Sequence, residues 1–396
     1  MLTVLRKSTI VLLATCVAFS SCDDDDVQPH LRTSVDYASL DATAPYSEQF
    51  KNAEDETTVD LTEGNLRFKM FQALNYQSTS AISANTAIDA AKLKKLFSNT
   101  GSPFVDIATS TISVNGATLN NSGLNIREVT ASSMSAANAE IVRAKIEAEF
   151  DAIATASLSV TQTASKGQAG KLGSYLVTSK GIESAQIIQK SLIGALQLDY
   201  IGNVLLNEGL KADNHSLVGD KAYTQLEHNW DEAYALLTLN AVYLYDTAKD
   251  LASTDATRAT VEFALGSYLW EYNKANYAKF FPAFIKGRAA IVNNDKAELE
   301  AQATFIRTQI EKAIASAALG YLNKWKDGAT DAVRAHAMGE GLGFVYSLRF
   351  ATIHGADATF SDNLLNGLVG SANGFWDLDI DKINAASDAI KAKFSL

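Results

Sequence analysis

Cysteine and proline are almost missing from this chain: its 396 residues hold two of the first and four of the second. Cys16 lies inside an apolar run near the start, so only Cys22 would stay with the chain if that run were removed. A disulfide framework, a thiolate metal site and a cysteine nucleophile are thereby excluded from the body of the protein. Stability must come from burial of apolar surface, and the chain is long enough to bury a sizeable core. Positive charge is also short, with 34 Lys and Arg against 45 Asp and Glu and a formal net charge of -11. An acidic surface repels nucleic acid and anionic headgroups, so no nucleic-acid partner is expected.

Long apolar runs are scarce as well. Residues 10–19 are broken only by Thr15 and follow Arg6 and Lys7. About ten apolar residues suit a secretory h-region, whereas a membrane-spanning helix needs about twenty. Residues 1–21 therefore read as a signal peptide. Phe19-Ser20-Ser21-Cys22 resembles a lipobox with Phe in the usual Leu position, which makes Cys22 the acylated first residue of the exported chain. Asp23, Asp24, Asp25 and Asp26 follow at once and resemble the surface-export signal of Bacteroidetes-type lipoproteins. The expected location is the outer membrane, lipid-anchored and facing outward. A solvated charge run that keeps the tether extended is the alternative.

Residues 22–63 are rich in Asp, Thr, Ser and Glu and read as a tether on which Tyr37, Tyr46 and Phe50 dock. Residues 64–396 read as one helical domain, opening with Leu66, Met70, Ala73 and Leu74 at helical spacing. Residues 99–130 break the pattern with Gly101, Pro103, Gly116 and Gly123 around short β-branched pieces, which predicts a loop with a small hairpin. From residue 135 on only Pro282 occurs, and helices are predicted at 136–155, 182–206, 223–249, 257–273, 296–326, 331–353 and 380–394. The fold class is all-α, a multi-helix bundle. Residues 188–193 resemble residues 310–315, and each is followed by a helix opening on His-x-x-x-Glu. Two pseudo-repeated halves, about 135–255 and 257–396, are one reading; chance likeness of Ala-rich helices is the other.

Two constellations could carry chemistry. In His228-Asn229-Trp230-Asp231-Glu232 the imidazole and the Glu232 carboxylate share a helix face with Asp231 at its edge. In the second, His336 and Glu340 share a stripe with Gly343 and Ser347, beside Gly339 and Gly341. A glycine inside a helix costs about 1 kcal/mol relative to alanine, so three alternating ones imply close approach of a helix or a ligand. Imidazoles and carboxylates from facing helices are the material of a bundle-core site for iron, manganese or zinc. Buried hydrogen-bonded His/Glu pairs that fix helix register are the competing reading. No His-Glu-x-x-His zinc motif, Gly-x-Ser-x-Gly elbow or phosphate-binding glycine loop occurs, so no enzyme is expected.

The segments His228 to Ala233, His336 to Phe350 and Gly374-Phe375-Trp376-Asp377 resemble a Bacteroidetes lipoprotein family, domain of unknown function 4856. More distantly the layout is similar to the imelysin-like proteins, helical two-repeat proteins linked to iron uptake, although their Gly-x-His-x-x-Glu spacing does not occur here. That likeness implies an iron-related role beside an outer-membrane uptake partner. The expectation is thus a non-catalytic surface lipoprotein holding iron, another divalent metal or an iron complex through His228, Asp231, Glu232, His336 and Glu340. The competing expectation is a structural or glycan-binding outer-membrane component, using Trp325, Trp376, Tyr243 and Tyr245 as a platform.

Overall fold

A computed structural model describes residues 31–239 and 264–396. The signal peptide, Cys22, the acidic run, Tyr243, Tyr245 and the parts of two predicted helices at 240–249 and 257–263 lie outside the described residues.

The all-α bundle is what the chain adopts. Helices α1 (Thr62–Ser83), α2 (Ala90–Ser98), α3 (Gly116–Asn120), α4 (Ile126–Val129), α5 (Ala136–Ser157), α6 (Ser184–Leu192) and α7 (Gln225–Leu237) build the first part. Helices α8 (Leu265–Tyr272), α9 (Lys274–Val292), α10 (Lys296–Asp327), α11 (Asp331–Ser347), α12 (Ala358–Val369) and α13 (Ile380–Phe394) build the second. The long α10 is the central strut, packed by α8, α9, α11 and α13, while α11 lies on α6 and α1 lies on α7. Among the described residues no helix is long and apolar enough to cross a membrane.

Most predicted helices recur with end shifts of a few residues, and the loop at 99–130 holds the antiparallel pair β1 (Ile107–Ala108) and β2 (Ser113–Val114). A second hairpin, β3 (Gly170–Leu172) with β4 (Tyr175–Val177), was not expected. Three-residue strands are too short to show alternation, but Gly170 marks the place: a Cβ there would lie 2.5 Å from the Gln162 carbonyl oxygen. Helix α9 was not expected either. Tyr277, Phe280, Phe281, Phe284 and Ile285 bury it on most sides, which removes the polar stripe that periodicity depends on, and Pro282 sits inside it.

The predicted helix at 182–206 changes character midway. From Ile193 to Leu205 it is a π-helix, and the bond from Leu206 N to Ile201 O at 2.9 Å spans five residues. Wider turns of this kind are rare and often lie beside functional groups. Here Gln197, Asp199 and Asn203 turn inward and Tyr200 reaches α7.

Residues 31–61, read as tether, run along α7 and α9. Tyr46 and Phe50 are buried, the Tyr37 hydroxyl donates to Asp295 at 2.8 Å, and Asn293 exchanges two hydrogen bonds with the Val35 backbone.

Candidate metal centre

Helix α7 begins with a device readable in its sequence. Thr224 Oγ1 accepts from Glu227 N at 3.2 Å while Glu227 Oε2 accepts from Thr224 N at 2.8 Å, a reciprocal cap that fixes the first turn. His228, Asp231 and Glu232 then fall on the inner side of the helix, and all three are buried.

Asp231 is taken by a separate network. Arg288, with no exposed surface, donates through Nε to Asp231 Oδ1 at 3.1 Å and through Nη1 to Glu227 Oε1 at 2.6 Å. The Tyr46 hydroxyl also donates to Asp231 Oδ1 at 2.7 Å, and Arg32 pairs with Glu227 Oε1 at 2.6 Å. Burial pushes the Asp231 carboxyl up to about 6 against the pull of Arg288. Both of its oxygens are occupied, the second by Asp60 N at 3.3 Å.

His228 and Glu232 face a third group that the sequence reading passed over. Gly64 lets α1 press on α7: a Cβ there would lie 2.7 Å from Ala235 Cβ and 2.8 Å from the Glu232 carbonyl oxygen. That contact carries the neighbouring Glu63 to the His228 ring, with Oε1 at 3.8 Å from Nε2. One ligand atom each from Glu63, His228 and Glu232 lie within 4.8 Å of one another. A gap of 3.8 Å is too long for a hydrogen bond. Two ligands each about 2.1 Å from one ion stand at most about 4.2 Å apart, so this pair is close enough to share a cation.

The ring itself is incompletely used. It stacks on Tyr223, with centroids 4.9 Å apart, and its Nδ1 is buried without a hydrogen-bond partner. Burial lowers its pKa, with Glu63 and Asp60 opposing, which favours the neutral imidazole that a metal requires. Burial also pushes the Glu232 carboxyl up to about 7, although Arg67 pulls the other way. Arg67 Nη1 bonds Glu63 Oε2 at 2.9 Å and also Glu232 Oε1, while the Tyr200 hydroxyl donates to Glu232 Oε2 at 3.1 Å.

His336 and Glu340 do not join this group, which corrects the expectation of one site shared between the two helices. His336 Nδ1 lies 2.7 Å from Glu183 Oε2 and its ring stacks on Tyr175 at 4.0 Å. Glu340 Oε1 lies 3.1 Å from the buried Lys190 ammonium. Among the described residues no hydrogen bond or ion pair links either of them to His228, Asp231 or Glu232. The glycines beside them serve helix contact: Cβ atoms at Gly343 and Gly339 would lie 2.5 Å from Lys190 Cβ and 3.0 Å from Glu183 Cβ, both on or next to α6. Of the aromatic residues expected to form a platform, Trp325 is buried and the half-buried Trp376 donates its Nε1–H to the Ser179 carbonyl.

Of the groups that complete the cluster, Glu63 and Arg67 had one local sign, their i,i+4 spacing on a helix face. Tyr200 had none, since its direction depends on the π-helix.

A family model described as Domain of unknown function (DUF4856) matches residues 45–396. Neither a curated protein nor a solved structure matches the chain.

Proposed function

The chain belongs to the DUF4856 family, and since that description carries no activity, we propose from the site itself that this is a lipid-anchored, non-catalytic protein that binds a divalent metal ion through Glu63, His228 and Glu232. The observation that carries the reading is the buried His228 imidazole whose Nε2 stands 3.8 Å from Glu63 Oε1, too far for a hydrogen bond and close enough to share an ion, with a Glu232 ligand atom within 4.8 Å of both.

Charge supports the same reading. Around His228 the carboxylates of Asp60, Glu63 and Glu232 are opposed by the cations of Arg67 and Lys221. An excess of negative charge beside a half-buried cluster is relieved either by protons or by a cation. One imidazole nitrogen with carboxylate oxygens suits iron(II), zinc or manganese, whereas calcium and magnesium prefer oxygen alone.

The anchor is the second element of the proposal: a diacylated Cys22 would hold the domain at the outer membrane, facing outward. An ion-binding domain displayed there serves capture or delivery of metal beside an uptake partner.

Elemental analysis tests the binding. After equilibration with Zn²⁺, Fe²⁺ or Mn²⁺ and desalting, the protein should retain about one ion per chain, and His228→Ala and Glu63→Gln should retain none. Equal retention by all three proteins, or none by the parent, refutes it.

A further inference from the structure

Arg67 occupies the ground a metal would need. Its Nη1 alone bridges Glu63 Oε2 and Glu232 Oε1, so one nitrogen serves two carboxylates. A guanidinium normally meets carboxylates with its planar fork, two nitrogens to two oxygens. Here the fork is not used, and the Arg67 Nε is buried without a partner. The side chain is therefore placed by charge and held by few bonds.

The same guanidinium already faces a ring: its carbon stands 5.6 Å from the centroid of Tyr200, within the range of a cation–π contact, so it can give up the two carboxylates without leaving that face. The Tyr200 hydroxyl meanwhile holds Glu232 Oε2. One residue thus fixes the carboxylate and offers a face to the guanidinium.

We propose that Arg67 is a built-in competitor for the site: a divalent cation enters between Glu63, His228 and Glu232 by displacing the guanidinium toward the Tyr200 ring. This rests on the metal reading above and adds to it how affinity is set. A single positive charge leaves the Glu63/Glu232 pair one charge short of neutral, whereas a divalent ion closes the gap. The exchange therefore favours divalent over monovalent cations, and it keeps affinity low enough for release to a partner. The guanidinium itself stays charged throughout the physiological range, so its displacement gives up no proton.

Calorimetric titration of the full chain with Zn²⁺ tests this. Arg67→Gln, which removes the competing charge, should bind Zn²⁺ at least tenfold more tightly than the parent. Tyr200→Leu, which removes the resting face, should bind several-fold more weakly than Tyr200→Phe, which keeps the ring. If the parent binds and Arg67→Gln binds equally or more weakly, the competitor role is wrong while the site stands. Should Arg67→Gln fail to fold, equal affinities for the two Tyr200 variants overturn the role. If neither the parent nor any variant binds Zn²⁺, the site reading falls and this inference with it.

Discussion

Glu63 and His228 come from helices α1 and α7, yet Oε1 of one stands 3.8 Å from Nε2 of the other. The approach depends on Gly64, since a Cβ at that position would run into Ala235 and the Glu232 carbonyl. Gly64→Val should therefore abolish metal retention before it abolishes the fold, and retention measured by elemental analysis alongside a circular dichroism spectrum checks it. Undiminished retention would detach the site from this helix contact.

The buried arginine beneath the site should dominate stability. Removing Arg288 leaves Glu227 and Asp231 without their main counter-charge in a region with no exposed side-chain surface. Breaking a buried pair from one side costs about 3–5 kcal/mol. Arg288→Ala should lower the urea midpoint accordingly or prevent folding, whereas Lys51→Ala, which breaks an exposed pair, should change it by less than about 1 kcal/mol.

Fold class was legible because the chain from residue 135 on is rich in Ala and Leu and holds a single proline. Helix α13 was read to its end residues: Asp379 caps it, and Ile383, Ala386, Ile390 and Phe394 fall on one buried stripe. Helix α9 was not legible, because a segment apolar on most sides shows no period, and Pro282 argues locally against it. The site was half legible for a similar reason. Spacing within one helix puts His228 and Glu232 on a common face, but whether Asp231, His336 and Glu340 are free depends on Arg288, Glu183 and Lys190, which tertiary packing brings from elsewhere. Local pattern shows which side chains share a face, and it does not show which partner occupies them.

The glycines of α11 give a paired prediction. Gly343→Ala would set a methyl 2.5 Å from Lys190 Cβ, and overpacking of this kind costs about 1–3 kcal/mol. Gly367, in helix α12, has open space around it, so Gly367→Ala should stabilise by about 0.4–1 kcal/mol. Thermal denaturation should shift in opposite directions for the two.

A pH dependence follows from His336 and Glu183. Burial lowers the His336 pKa, but the hydrogen bond and charge of Glu183 outweigh it, so the folded value lies above the ordinary 6.5. Burial likewise raises the Glu183 carboxyl, with His336 opposing. Both shifts have one sign, the folded state binding protons more tightly: the His336 part is full below the unfolded pKa of histidine and fades as pH rises through the folded one, while the Glu183 part already fades above the ordinary carboxyl range. Unfolding free energy should decline between about pH 6 and 8 as His336 loses its proton, and the double variant His336→Gln with Glu183→Gln should flatten that slope. An unchanged slope in the double variant assigns the dependence elsewhere.

Anomalous diffraction from crystals grown with Zn²⁺ tests the central claim most directly. Data taken on either side of the zinc absorption edge should show one strong peak per chain, about 2 Å from His228 Nε2 and from a Glu63 oxygen. A peak at His336 or on surface carboxylates alone, with none between Glu63 and His228, would contradict it.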